Sequence, residues 1–496
     1  MTRTDVRTDV RTNVIGGVRV PSSTGRTFES LNPTDPSQVI GVFARSGPED
    51  AQAAIRAARA AQPAWAAVPA PQRALVLERA AEVLTRRADE IAAAISREMG
   101  KPIGEALGYE VRGTIKLAKY LAGEGRRMFG YTAPSELQNK FGCVMRAPIG
   151  VTSLITPWNL PLLTPAGKVF GSLICGNAAV FKPSEETPHI GHLLVEVLEE
   201  AGLPPGVVNL VTGHGAEIGE VLATDPEIDL LSFTGSTQTG RLLGGQAGGA
   251  GKKLSLEMGG KNAIIVMDDA ELDVAVEGAI WGGYGTSGQR CTASSRLIVH
   301  RSVHRRFVDA FAARVEALKV GDPLDPTVQL GPLVSRRQLD KVHGYTGIGL
   351  EEGAKLVTGG RKIERDGGHY YAPTLFDAVT PRMRIAQEEI FGPTVCVLAV
   401  DNLAEAIATA NGTPFGLSLA IYTQNINNAF VAMRDLKSGL VYVNSPTIGS
   451  EIHYPFGGVK ATGNGQRENG QSSIEEYSEL KTLFVDYSGA MRRNGM

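Results

Sequence analysis

Cysteine is scarce in this sequence: there are four, Cys143, Cys175, Cys291 and Cys396, in 496 residues, too far apart to form a C-x-x-C pair. That excludes a disulfide framework and a zinc site, leaves no call for a metal, and places the chain in a reducing compartment, read as the cytoplasm. A charge excess is missing as well. Lys and Arg number 50 against 52 Asp and Glu, so neither nucleic acid nor an anionic membrane is expected as a partner. No window reaches the roughly 18 uninterrupted apolar residues that a membrane helix needs. The first 14 residues lack the apolar centre of a secretory signal; they repeat Arg-Thr-Asp-Val with mixed charge and read as a loose tail.

Glycine, by contrast, is plentiful at 59, which points to many tight turns. The length is too great for one ordinary core, so two lobes are expected. Residues 50–129 carry apolar positions at three- and four-residue spacing and predict a set of amphipathic helices. Residues 131–146 lose that period and read as extended. From 151 to 267 short apolar runs alternate with helical segments: strands are expected at 151–155, 178–181, 207–211, 228–233, 253–257 and 263–267. This is the pattern of a mostly parallel α/β sheet covered on both faces, with ligands at the carboxyl ends of its strands. The glycine-rich run 244–251 reads as a loop. A second α/β lobe follows from 272, and residues 478–487 are again extended, able to pair with 131–146 or with another subunit.

Four of those strand ends carry polar residues that suit one chemistry. Thr156-Pro157-Trp158-Asn159 is a rigid turn offering a side-chain amide donor, and Lys182-Pro183-Ser184-Glu185 follows a strand directly. Phe233-Thr234-Gly235-Ser236 leads into a helix whose free N–H groups suit a phosphate. Glu257-Met258-Gly259-Gly260-Lys261 sets a carboxylate beside two glycines. Each alone is a common strand-to-turn pattern, and 235–240 is not the G-x-G-x-x-G fingerprint. The fifth element is Gly288-Gln289-Arg290-Cys291, a thiol beside a glycine where a ligand can approach the backbone.

With TPWN at 156–159, KPSE at 182–185, FTGS at 233–236, EMGGK at 257–261, GQRC at 288–291, EEIFGP at 388–393 and PFGG at 455–458, the sequence resembles the aldehyde dehydrogenase superfamily over about residues 27–485. The resemblance implies a Rossmann-like cofactor domain (15–129 and 147–258) behind the tail 1–14. It adds an α/β catalytic domain (259–446) and a small bridging β element (130–146 and 471–490) that assembles a homodimer or homotetramer. It implies oxidation of an aldehyde to the acid with NAD, NADP remaining an option. Cys291 would attack the carbonyl as thiolate. The Asn159 amide and the Cys291 N–H would hold the oxyanion, and Glu257 would be the base that activates water against the thioester. Lys168 and Glu468 match positions that support proton movement.

For the cofactor, the resemblance assigns Lys182, Ser184 and Glu185 to the adenosine side and Phe233, Gly235 and Ser236 to the pyrophosphate region. Ile155, Thr156, Pro157, Trp158 and Gly259 would line the cleft, with Glu389 on the nicotinamide ribose and Phe391 near the ring. A carboxylate at Glu185 would repel a 2′-phosphate and so favours NAD. A CoA-acylating member and a non-catalytic ligand binder are the rivals. Glu257 argues against the first, because attack by water is the step that needs a base, and the complete residue set argues against the second.

Arg290 resembles the aminoadipic semialdehyde branch, where an arginine helps bind a substrate carboxylate; a role in holding the loop is the plainer reading. With Trp158 and Phe456 it forms the expected substrate contact set. Substrate choice is expected in 108–114, 158–163, the flanks of Cys291 and the loop 445–456. His189 and His192 lack a third ligand and read as structural or solvated, while Cys143, Cys175 and Cys396 read as core residues.

Overall fold

The computed structural model describes residues 9–490. Two seven-stranded sheets carry the chain. The first runs from its edge through Lys253–Glu257, Leu230–Thr234, Val151–Ile155, Ala178–Lys182 and Val208–Leu210, all parallel, to the antiparallel Asn13–Ile15 and Val18–Val20. Its strands have no polar face because both faces are covered. Alternation sorts their side chains: Ala178 and Val180 pack with Ala54, Ile55 and Ala58 of helix Pro48–Ala67 on one side. Ala179 and Phe181 pack with Leu193 and Leu194 of helix Pro188–Glu200 on the other. Each fully buried Leu or Phe of this kind contributes about 1.5–3 kcal/mol. Pro183, directly after a strand end, has no amide to extend the ladder, so the chain turns away there. The polar strand ends are thereby gathered at one edge.

The chain crosses between Glu257 and Ala263 into the second sheet. There Thr374–Asp377, Thr394–Val400, Arg296–His300, Ala263–Val266, Ser418–Tyr422 and Leu440–Val443 run parallel, with Lys355–Thr358 antiparallel at the edge. A third, antiparallel sheet joins the two extended pieces within the chain: Ser478–Asp486 lies along Lys140–Pro148 with Ser478 opposite Pro148 and Asp486 opposite Lys140, and Tyr131–Ala133 completes it.

Three expectations are corrected. The tail does not extend to residue 14, although residues 1–8 lie outside the described part. The Arg11 amide donates to Val42 and Asn13–Ile15 is a strand, because buried Asn13 accepts from the Thr212 amide and the Ser46 hydroxyl. The run 244–251 is not a loop: Thr237–Gly249 is one helix, held by burial of Leu243 and Ala247 in a cluster with Leu256, which outweighs the low helix propensity of its glycines. Cys143 is only half-buried, since it lies on a strand of the third sheet, whereas Cys175 and Cys396 are buried.

The structure also contains elements without a strong sequence signal. The hairpin Thr27–Leu31 with Val39–Ala44 is one, and a π-helical turn, Ala106–Val111, just ahead of helix Arg112–Glu124 is another.

Candidate active site

The expected cofactor residues share the carboxyl edge of the first sheet. Ile155 ends one strand, Lys182 ends the next, and Phe233 with Thr234 ends a third. Lys182 is buried, and its Nζ lies 3.5 Å from Glu185 Oε2 and donates to the Pro183 carbonyl at 3.0 Å. Burial works to raise the Glu185 carboxyl, but the neighbouring ammonium prevails and holds it below its ordinary value, so it is anionic. Ser184 is buried beside this pair. Exposed Ser236 caps the helix Thr237–Gly249 by accepting the Thr239 amide, and the other first-turn amides open at the sheet edge after Gly235.

Glu389 and Phe391 come to this edge from the second lobe. The Gly260 amide donates to Glu389 Oε1 at 2.9 Å. A Cβ at position 259 would stand 2.4 Å from Glu389 Oε2, so a side chain there would displace this carboxylate. Phe391 meets Trp158 edge-on with ring centres 5.3 Å apart, joining a turn after Ile155 to the second lobe.

Cys291 lies at the end of a strained loop. Thr286 and Ser287 both sit at φ 54°, and Gly288 at 68°. Anchors hold this shape: Glu105 accepts the Thr286 amide at 3.0 Å and its hydroxyl at 2.6 Å, Ser287 donates to the Gly331 carbonyl, and Gln289 accepts the Val334 amide. Asn262 donates to the Cys291 carbonyl at 2.7 Å and to that of Ala293 at 3.0 Å. The half-buried thiol is pushed up to about 12, first by burial and then by the carboxylates Glu389 and Glu257. It is therefore protonated at neutral pH in this arrangement and needs a base to react.

A cavity of about 490 Å³ opens onto Cys291. Much of its wall comes from the segments expected to choose substrate, through Gly108, Tyr109 and Gly113, Leu160 and Leu163, Arg290 and Thr292, Gly449 to His453, and Phe456; Lys116, Thr164, Gly167, Glu468 and Asn469 line it from outside them. Trp158, expected in the substrate set, is not in that wall and packs on Phe391 instead. Arg290 lines the cavity but is already engaged: its Nη2 donates to Glu105 at 2.7 Å, its Nε to Thr286 at 2.8 Å, and it lies over the rings of Tyr109 and Trp281.

Behind Cys291 the buried Glu257 carboxyl has no hydrogen-bond partner on either oxygen. Burial, and then the charge of Glu468, push it well above the usual carboxylate range. Lys168 Nζ donates to Glu468 at 2.5 Å and to Ser232 at 2.8 Å, and Ser232 donates to Glu476 at 2.9 Å. Lys168 and Glu257 thus belong to one set of charges with Glu468, Glu476 and Arg467, in which Glu257, Lys168 and Glu476 are buried and Glu468 faces the cavity.

The family model for the aldehyde dehydrogenase family matches residues 20–483, nearly the whole chain. The chain belongs to the aldehyde dehydrogenase family. Its class is accordingly that of an aldehyde-oxidising oxidoreductase. An alpha-ketoglutaric semialdehyde dehydrogenase of Bacillus subtilis is 40% identical over 95% of this chain and 97% of its own. An alpha-ketoglutarate semialdehyde dehydrogenase of Haloferax volcanii is 40% identical over 97% and 100%. Among solved structures, an NAD-dependent aldehyde dehydrogenase from Sinorhizobium meliloti aligns with a TM-score of 0.95 at 36% identity, covering 98% of this chain and 96% of the other. A betaine aldehyde dehydrogenase from Staphylococcus aureus, solved in complex with NAD+, aligns with a TM-score of 0.95 at 33% identity, covering 98% and 97%.

Several residues of the site escaped sequence reasoning: Asn262, Glu105 and the buried pair Lys101 and Glu110, whose contacts to the Asn159 and Cys291 loops span 29 to 181 residues of chain. The one local signal was the position of Asn262, two residues after the pair Gly259-Gly260 at a strand-to-strand turn. Among the described residues no helix is long and apolar enough to cross a membrane, and no group of three or more His, Cys, Asp or Glu could hold a metal ion.

Proposed function

We propose that the protein oxidises a carboxylate-bearing aldehyde, a semialdehyde, to the dicarboxylic acid with NAD+ and water. One observation carries the chemistry. The thiol of Cys291 opens into the cavity within electrostatic range of Glu257, a carboxyl that has no partner of its own.

Cys291 loses its proton to a base and its sulfur adds to the aldehyde carbon, giving a thiohemiacetal. The oxygen that gains negative charge is received by the Asn159 side-chain amide and the Cys291 N–H. Bound NAD+ supplies the acceptor for the hydrogen and electron pair that leave that carbon. Glu257 then takes a proton from water as the water attacks the resulting thioester, the acid leaves, and the thiol is restored. Burial raises this carboxyl above its usual range, so once ionised it holds a proton more tightly than a free carboxylate, and Lys168 with Glu468 and Glu476 provides a route for the proton.

The residues present fit the cofactor. The anionic Glu185 carboxylate, set by Lys182, accepts ribose hydroxyls and disfavours a 2′-phosphate. The open helix start at Ser236 suits a pyrophosphate, and Glu389 over Gly259 suits the second ribose, with Phe391 and Trp158 forming an aromatic wall. The semialdehyde reading draws on the two 40% identical relatives and on Lys116, a cation, and His453, an imidazole, both in the cavity wall where a distal carboxylate could be met. Homo-oligomerisation through the third sheet, which leaves Phe141, Met145, Leu480 and Phe484 exposed, and a cytoplasmic location complete the reading.

The test is NADH formation by wild type beside Cys291→Ala, over aliphatic, aromatic and carboxylated aldehydes. Turnover highest with a carboxylated aldehyde and lost in the variant is the expected result. Equal turnover by the variant would remove Cys291 from the reaction, and no preference for carboxylated aldehydes would remove the semialdehyde.

A further inference from the structure

Two loops must be aligned for the reaction above: the one ending in Cys291 and the one starting at Asn159. Both are fastened to the same short piece of chain. Glu105 lies just before the π turn Ala106–Val111, and Glu110 lies near its end. In a regular α-helix residues five apart point about 140° away from each other, whereas a π turn closes hydrogen bonds over five residues and brings such positions round toward one side.

Glu105 holds the nucleophile loop through the Thr286 amide, the Thr286 hydroxyl and Arg290. Glu110 holds the other. It accepts the Leu162 amide at 2.7 Å and pairs with Lys101, and the same Lys101 Nζ donates to the main-chain carbonyl of Asn159 at 2.9 Å. Both Lys101 and Glu110 are fully buried, with no side-chain surface exposed. A buried ion pair is a weak source of stability, because the cost of desolvating both ions offsets their attraction. What it does provide here is direction, since each member spends a second hydrogen bond on the backbone of the Asn159 turn.

We propose that the π turn is an alignment element, in which Glu110 with Lys101 positions the Asn159 donor and Glu105 positions Cys291. None of the three touches the reacting atoms; they are positioning residues, and the assignment rests on the roles of Asn159 and Cys291 proposed above. A carbonyl held at the Asn159 main chain fixes the backbone that carries the side-chain amide. A displacement of about 1 Å at such a donor costs on the order of 100-fold in rate.

The experiment is a double-mutant cycle of Glu110→Gln and Asn159→Ala, with kcat and KM measured for each variant and thermal unfolding recorded alongside. Glu110→Gln is expected to lower kcat about 10- to 100-fold with KM changing less than about threefold, and to cause no further loss in the Asn159→Ala background. Equal losses in both backgrounds would overturn the proposal and leave Glu110 a general stabiliser. If Glu110→Gln does not fold, Glu110→Asp, which keeps the charge but shortens its reach, must show the same non-additivity. An Asn159→Ala variant with unchanged kcat would instead overturn the donor role of Asn159 itself.

The second arm is alkylation of Cys291 by iodoacetamide, which needs no oxyanion donor. Glu105→Gln is expected to change its rate and Glu110→Gln to leave it unchanged; a change of the same size in both would remove the division of labour between the two carboxylates.

Discussion

The backbone of Gly288 lies directly on that of Gly392: a Cβ at position 288 would stand 2.2 Å from the Gly392 carbonyl oxygen. This contact seats the Cys291 loop against the segment that carries Glu389 and Phe391, and φ 68° at Gly288 makes any side chain there strained as well. Gly288→Ala is expected to destabilise the fold by about 1–3 kcal/mol through the strain alone and to lower kcat/KM at least about 100-fold by shifting Cys291. Thermal unfolding and NADH kinetics measure the two effects, and wild-type kinetics would show that the contact does not hold the loop.

The reactivity of Cys291 should follow its buried state. With the thiol pushed up to about 12, the thiolate is the disfavoured form and its fraction rises about tenfold per pH unit below that value. The rate of iodoacetamide alkylation without NAD+ should therefore keep climbing from pH 7 to about 10. A plateau near pH 8 would mean that the thiol is ionised far more easily than its surroundings imply.

Cofactor choice should depend on Glu185. Replacing it by Gln removes the negative charge that opposes a 2′-phosphate and one acceptor for a ribose hydroxyl. The expected outcome is a higher KM for NAD+, a lower one for NADP+, and a change in their ratio of at least about tenfold, corresponding to about 1.4 kcal/mol. An unchanged ratio would locate discrimination elsewhere in the cleft.

Arg290→Lys keeps a positive charge but loses the forked contact to Glu105 and Thr286 and the stacking over Tyr109 and Trp281. Because those contacts hold the loop, kcat should fall by about 10-fold or more with carboxylated and neutral aldehydes alike. A loss confined to carboxylated aldehydes would assign the guanidinium to the substrate.

Glu98 makes stability depend on pH. Buried at the start of helix Pro188–Glu200, it accepts from Ser30 and from the His189 and Ile190 amides, yet burial still raises its carboxyl to about 7. Between about pH 4.5 and 7 the folded chain keeps a proton that the unfolded chain has released, so this group's contribution declines as pH rises, by about 1 kcal/mol per unit. In denaturant unfolding, Glu98→Gln should lack that part of the decline, and its stability relative to wild type should be greater at pH 7.5 than at pH 5. Parallel pH profiles for the two proteins would show that Glu98 is ionised throughout.

The site was legible wherever its chemistry lies within a few consecutive residues. The turns after Ile155, Lys182, Thr234 and Glu257 could be recognised because a parallel strand covered on both faces must be continuously apolar, so that its polar end stands out. Glu105 and Glu110 could not be recognised in this way. Their partners, Thr286 and Leu162, lie 181 and 52 residues further on, and nothing local marks a carboxylate that will be buried. The glycines of 244–251 misled for a related reason: their propensity is local, whereas the burial of Leu243 and Ala247 that overrides it is not.

Chain order alone therefore settles the α/β class and the family and singles out Cys291 as the candidate thiol, since these follow from short-range patterns of apolar period, turn chemistry and contiguous motifs. Packing in three dimensions raises the Cys291 thiol and the Glu257 carboxyl above their ordinary values, commits Arg290 to Glu105 rather than to open cavity, and joins the Asn159 and Cys291 loops through one π turn. Desolvation and charge pairing depend on which distant segments close over a group, and that is known only once the chain has folded around it.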